Sequence, residues 1–174
     1  LYAEELKAEG GVISGEQFVD ECQVESDLEL LLPATYVTGS SERMLLYREL
    51  DSLTLDKDVE AFRNRLIDRF GPVPSETEEL LRIVPLRRLA ARLGAEKVFL
   101  KGGRMSLFFI SNPESPYYQS QAFGKVIAYM MKYTRRCDLR EQNTRRSMLV
   151  KDVKNVETAV GVLQEIVAMQ VEEG

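Results

Sequence analysis

LIDRFGPVPSETEELL, Leu66 to Leu81, holds a helix end, a rigid corner and a new helix start in one short run. Gly71 is suited to the left-handed residue that stops a helix, and Pro72 cannot continue one. Pro74 stiffens the approach to Ser75, which forms an S-x-x-E capping box with Glu78. Upstream, Val59, Phe62, Leu66 and Phe70 recur at i, i+3, i+7 and i+11, one arc of a helix over 57–70 opened by Thr54 or Asp56. At ~100° per residue Asp68 falls opposite that arc, and Ala61, Asn64 and Arg65 share its outward side. Downstream, Leu80, Leu81, Val84, Leu86, Leu89, Ala90 and Leu93 predict a second helix that ends at Gly94 and kinks at Pro85.

Farther out, Val24, Leu28, Leu30 and Leu32 alternate with Glu25, Asp27 and Glu29, a half-buried strand ended by Pro33. Ser40 or Ser41 caps a helix through "ERMLLYRELDSL" with an inward stripe including Met44, Tyr47 and Leu50. "AEKVFLKGGRMSLFFI" is a hairpin turning at Gly102-Gly103. A helix from about Pro116 presents Phe123, Val126, Ile127, Met130 and Met131, and 133–139 and 144–150 read as short strands. Val156, Val160, Leu163, Ile166 and Val167 mark a C-terminal amphipathic helix. The expected fold is α+β: a small, largely antiparallel sheet of about five strands packed with about five helices. Residues 1–23 read as a tail and 24–174 as the domain. The opening "LYAEELKAEGG" looks like a helix remnant, so the chain reads as the C-terminal piece of a larger protein.

The chemistry is narrowed by absences. The 174 residues include no histidine, the commonest general base and metal ligand. Cys22 and Cys137 have no CxxC partner, which argues against zinc and for reduced thiols in a cytoplasmic setting. No phosphate-cradling glycine motif occurs, and "KGGR" at 101–104 is too short for one. A carboxylate pair of the glycosidase kind remains open in principle, but no acid is singled out. No apolar run is long enough for a membrane span. The expectation is therefore a non-catalytic domain without metal or cofactor. The net charge of −5 is unevenly spread: residues 1–60 carry 15 acidic and 4 basic side chains, a balance of −11. Residues 125–154 carry 9 basic against 3 acidic, a balance of +6. Such asymmetry marks either a solvated face paired within the domain or a docking or nucleic-acid surface.

"LLPATYVTGSSERMLLYREL", "RLIDRFGPVPSETEELL" and "LRRLAARLGAEKV", in that order, resemble the C-terminal domain of bacterial transcription-repair coupling factors. The resemblance covers about residues 27–170, and LIDRFG followed by proline is its most specific part. It implies a parent that is an ATP-dependent, helicase-like DNA translocase, which removes stalled RNA polymerase and recruits the excision-repair protein UvrA. ATP and Mg would belong to the parent's motor domains, and DNA would be held through domains other than this one. The C-terminal domain of that family docks on the N-terminal UvrB-like module of its own chain and covers the UvrA-binding surface, an autoinhibited state.

Acidic residues on the helix carrying LIDRFG make that contact in the family, and Asp68 matches one such position. Three residues earlier the family can carry a second acid; here stands Arg65. Asp68 and Arg65 are thus the candidate docking pair, and at i, i+3 they also suit a local ion pair worth a few tenths of a kcal/mol. The rival candidate is a nucleic-acid contact through Lys132, Arg135, Arg136, Arg140, Arg145 and Arg146, near Tyr129 and Tyr133.

Overall fold

A computed structural model describes residues 18–171, and its elements fall into two lobes. Strand β1 (Gln23–Ser26) is followed by helices α1 (Ser40–Ser52), α2 (Asp56–Phe70) and α3 (Ser75–Arg92). Strands β2 (Ala95–Lys101) and β3 (Arg104–Phe109) come next, then a 3-10 turn at Pro116–Gln119 and α4 (Gln121–Lys132). The chain finishes with β4 (Cys137–Gln142), β5 (Arg145–Val150) and α5 (Val156–Val167). The strands form one sheet in the order β1-β2-β3-β5-β4. β1 is parallel to β2 and every other pairing is antiparallel. This is the α+β architecture expected, with a mixed, mostly antiparallel sheet.

The sheet lobe buries Val98, Leu100, Met105, Leu107, Phe109, Met148 and Val150 on one face, against α3, α4 and α5. Val19 and Cys22, which precede β1, are buried in the same core. The helical lobe gathers Leu32, Val37, Leu50, Phe62, Leu66, Leu81 and Val84. Helix α3 serves both: Leu81 and Val84 face the helical lobe, while Leu86, Leu89, Ala90 and Ala91 face the sheet. Pro85, the residue between the two sets, lies inside a helix that continues without interruption.

Several local expectations are corrected. The strand read over 24–32 stops at Ser26, where the Ser26 hydroxyl takes the Leu28 N–H at 3.0 Å. Its partner β2 ends at Lys101, so Leu28 to Leu32 have no ladder left to join, although their alternating burial persists. The N-cap of α1 is Gly39, not a serine, and Met44 is 56% exposed instead of facing inward. Four consecutive apolar residues, Met44 to Tyr47, sweep most of a helical turn and cannot all point to one core. Gly71 does take a positive φ of 90°, but with ψ −165° it lies in the mirror-extended region that only glycine tolerates, not the left-handed helical one. The Tyr36 hydroxyl donates to its carbonyl at 2.7 Å.

The capping box is absent as well. The N-cap of α3 is Pro74, which has no polar side chain and no N–H to offer, and Glu78 is engaged elsewhere: it receives Arg63 of α2 through Nε and Nη2 at 3.0 and 2.7 Å. A bidentate, charge-assisted contact outcompetes a neutral backbone amide for that carboxylate. Glu79 reaches the start of α5, accepting the Val156 and Glu157 N–H groups at 2.6 and 3.1 Å. With Asn155 capping Thr158 at 2.8 Å, the exposed amides of that helix end are met by two side chains. The helix expected from Pro116 is a 3-10 turn first; α4 begins at Gln121 with Ser120 as its cap. Met131 on that helix is 68% exposed. The strand placed at 133–139 begins at Cys137, because the chain still turns between Tyr133 and Arg136. The helix remnant read at residues 1–15 lies outside the described residues.

Candidate functional site

Phe62 and Leu66, each 1% exposed, fix the rotation of α2. That rotation places Ala61, Asn64, Arg65 and Asp68 on the exposed side, as the spacing predicts. The local Arg65–Asp68 pair does not form. Arg65 instead bonds Glu49 on α1 and lies with its guanidinium 5.4 Å from the Phe62 ring centroid. A reach across to α1 satisfies both this charge and the ring face, which a bond to the next turn of α2 does not. Asp68 is left with no cationic or hydrogen-bonding partner among the described residues.

One turn on, Arg69 bonds Glu42 of α1 and stacks 4.9 Å from Phe70. The two Arg–Glu pairs bridge α1 and α2 over a cleft of about 220 Å³ lined by Leu45, Leu46, Phe62, Leu66 and Phe70. Leu45 is 63% exposed, and Met44 and Ile67 are also open to solvent. The outer side of the helical lobe thus combines apolar side chains, two arginines held in place and one uncompensated carboxylate. That mixture suits a reversible protein contact, since a partly polar interface reopens more readily than an apolar one. The sequence reading missed Met44 and Leu45; the run MLLY, too apolar for one helix face, carried the signal.

A larger groove, about 890 Å³, separates β1 from the α1–α2 turn and α3. Its two arginines are engaged: Arg88 donates to the Thr54 carbonyl and to Asp56 at 2.9 Å, and Arg87 lies 3.8 Å from Asp51. Burial disfavours the thiolate of Cys22 on its wall and pushes the thiol up to about 12 despite the opposing Arg87 charge. No group of three or more His, Cys, Asp or Glu able to hold a metal occurs among the described residues.

The six basic candidates are not brought together. Lys132 ends α4 beside Glu165 at 3.5 Å, and Arg135 in the following turn is exposed without a partner among the described residues. Arg136 is a staple: it donates to the carbonyls of Lys151 and Asp152 at 2.9 and 3.2 Å and to the Tyr129 hydroxyl at 3.3 Å. Arg140 and Arg145 lie on the sheet face away from the helices, next to Asp138 and Glu96 at 3.8 and 3.0 Å. Arg146, on the opposite face, covers the Tyr118 ring at 4.4 Å. Alternation along β4 and β5 divides this charge run between two faces.

The TRCF domain, as a family, matches this chain over residues 26–120, more than half its length. The chain belongs to the TRCF-domain family. The chain is 29% identical to the transcription-repair-coupling factor of Rickettsia bellii over 149 residues, 82% of this chain and 12% of the relative. The Rickettsia prowazekii protein of the same name is 25% identical over 94% of this chain and 14% of its own length. The Staphylococcus haemolyticus protein is 25% identical over 78% of the chain and 12% of its own. The chain therefore spans about one-eighth of the relatives it matches. A crystal structure of the C-terminal domain of a transcription-repair coupling factor superposes with a TM-score of 0.64. At 17% identity it covers 84% of this chain and 93% of that one, so the shared fold extends beyond the matched segment. No helix of the described residues is long and apolar enough to cross a membrane.

Proposed function

We propose that this TRCF domain is the autoinhibitory, non-catalytic C-terminal part of an ATP-dependent DNA translocase in transcription-coupled nucleotide excision repair. It docks on the UvrB-like N-terminal module of its own parent and masks the surface that UvrA binds. The observation that carries this reading is Asp68: an exposed carboxylate without an intramolecular partner, held outward by the buried Phe62 and Leu66, at the position that the family resemblance marks for docking. Arg65 belongs to the same surface but is committed to Glu49 of α1, so it is not free to meet the partner as Asp68 is.

A tethered domain needs only modest intrinsic affinity, since a short flexible linker supplies an effective concentration of order mM. The apparent affinity for UvrA then falls by the fraction of parent molecules that are open. Engagement of RNA polymerase by the parent shifts that balance, while ATP and Mg act at its motor domains. Deleting this domain from the full-length parent is expected to strengthen UvrA binding and raise basal ATPase or DNA-binding activity. Unchanged values for both would refute the clamp.

A further inference from the structure

The helices cover one face of the sheet and leave the other open among the described residues. On that open face Phe99 of β2 and Phe108 of β3 meet edge to face, ring centroids 5.2 Å apart and planes inclined at 65°, on the inner strands of the sheet. Both rings are half-buried, whereas their strand neighbours Val98, Leu100, Leu107 and Phe109 are no more than 2% exposed. Cations surround the pair. The Lys97 and Lys101 ammonium groups lie 5.3 and 5.1 Å from the Phe99 centroid, and the Arg145 guanidinium lies 5.7 Å from that of Phe108. Arg104, exposed and paired in register with Lys101, and Arg140, in register with Ser147, extend the charge along the face. Glu25, Glu96 and Asp138 are the acids in contact with these cations. Asp27 adds a fourth acid, accepting the Gly102 N–H at 2.9 Å in the turn between Lys101 and Arg104, so these five cations and four acids sum to +1 in a chain whose net charge is −5.

We infer that this face binds single-stranded nucleic acid, with bases stacking on Phe99 and Phe108 and the backbone following the lysines and arginines. Adjacent aromatic rings on the inner strands of an open sheet, with basic side chains within reach, are the chemistry of sequence-tolerant base stacking. The bases of a duplex are already stacked on one another and are not available to rings on a flat sheet. An acidic protein would meet the cations as well, and polyaspartate competition separates it from a stacked nucleic acid. The site lies on the sheet lobe, does not rest on the docking proposal, and uses only Arg140 and Arg145 of the basic run discussed above.

The chain contains no tryptophan, so Phe99→Trp places a single reporter on the face. Titrating this variant with an oligothymidylate of about 12 nucleotides should quench the indole. With the unmodified chain, the anisotropy of the labelled oligonucleotide should rise at about 50 mM salt and fall as salt is raised. Phe99→Ala combined with Phe108→Ala should weaken binding about 10- to 100-fold. Lys101→Glu with Arg104→Glu, both at exposed positions, should weaken it and flatten the salt dependence, while Arg135→Ala leaves it unchanged. No anisotropy change at low salt, or binding indifferent to the charge-reversed pair, overturns the inference. So does equal competition by polyaspartate without indole quenching, which would mark an acidic protein site instead.

Discussion

The helical lobe and the sheet lobe share α3 and are held together differently. The sheet lobe has a backbone ladder across five strands and a continuous apolar core including Tyr117 and Tyr129, both fully buried. The helical lobe has seven buried hydrophobic residues and ties its helices with charged pairs: Arg63–Glu78, Arg65–Glu49, Arg69–Glu42 and Arg88–Asp56. All but the half-buried Arg63–Glu78 are exposed and contribute little each, so the stability of the helical lobe rests mainly on its small core. The contrast sets a laddered platform against a lightly built helical surface, the one the proposed docking would use.

The largest effect expected belongs to the platform. Gly94 has φ +87°, and a Cβ there would lie 2.1 Å from the Tyr117 ring, whose hydroxyl also bonds the Leu93 carbonyl. Gly94→Ala should cost on the order of 5 kcal/mol, since backbone strain and overpacking add. Urea unfolding measures it, and a loss below about 1 kcal/mol would show a far more yielding sheet core than described.

Phe62→Ala, in the smaller core, should cost roughly 3–5 kcal/mol. Its diagnostic is where that loss falls. Hydrogen exchange should quicken across α1 and α2 while β2, β3 and β5 keep their protection. Uniform loss of protection would mean the lobes unfold as one unit and would remove the contrast.

Alkaline pH should act on the sheet lobe. Burial pushes the Cys22 thiol from 9.0 up to about 12 and the Tyr129 hydroxyl from 10.0 up to about 12. Folding then holds these protons more tightly than the unfolded chain, so their stabilising effect is complete below pH 9 and lost as pH rises toward 12. Stability should therefore fall across that window, and Cys22→Ala should make the fall shallower. A pH-independent midpoint between 9 and 12 would contradict the burial described.

Arg63→Ala should cost about 1–2 kcal/mol, because it leaves the half-buried Glu78 without its bidentate partner. Arg65→Ala, at an exposed pair, should cost less than about 1 kcal/mol. Equal losses at the two sites would show that exposure does not grade the charged ties between these helices.

Periodicity made the helices, the hairpin and the outward face of Asp68 legible, because two buried side chains suffice to set a helix's rotation. Partner choice was not legible. Arg65 finds Glu49 on another helix, Glu78 leaves its local cap for Arg63, and Glu79 meets amides at Val156 and Glu157. A motif read within one segment cannot weigh a stronger acceptor supplied from elsewhere by the fold. The length of β1 was hidden for the same reason: its own alternation runs on to Leu32, and only the end of β2 stops it. The Phe99–Phe108 pair was visible as two strands but not as one face, which needed the register.

The most direct test of the account is the affinity of this domain for the UvrB-like module of its parent, measured by calorimetry for the unmodified chain and for Asp68→Arg. The account predicts at least a tenfold loss of affinity with an unchanged thermal midpoint, because Asp68 is exposed and bonds nothing among the described residues. Equal affinity for the two chains would contradict it.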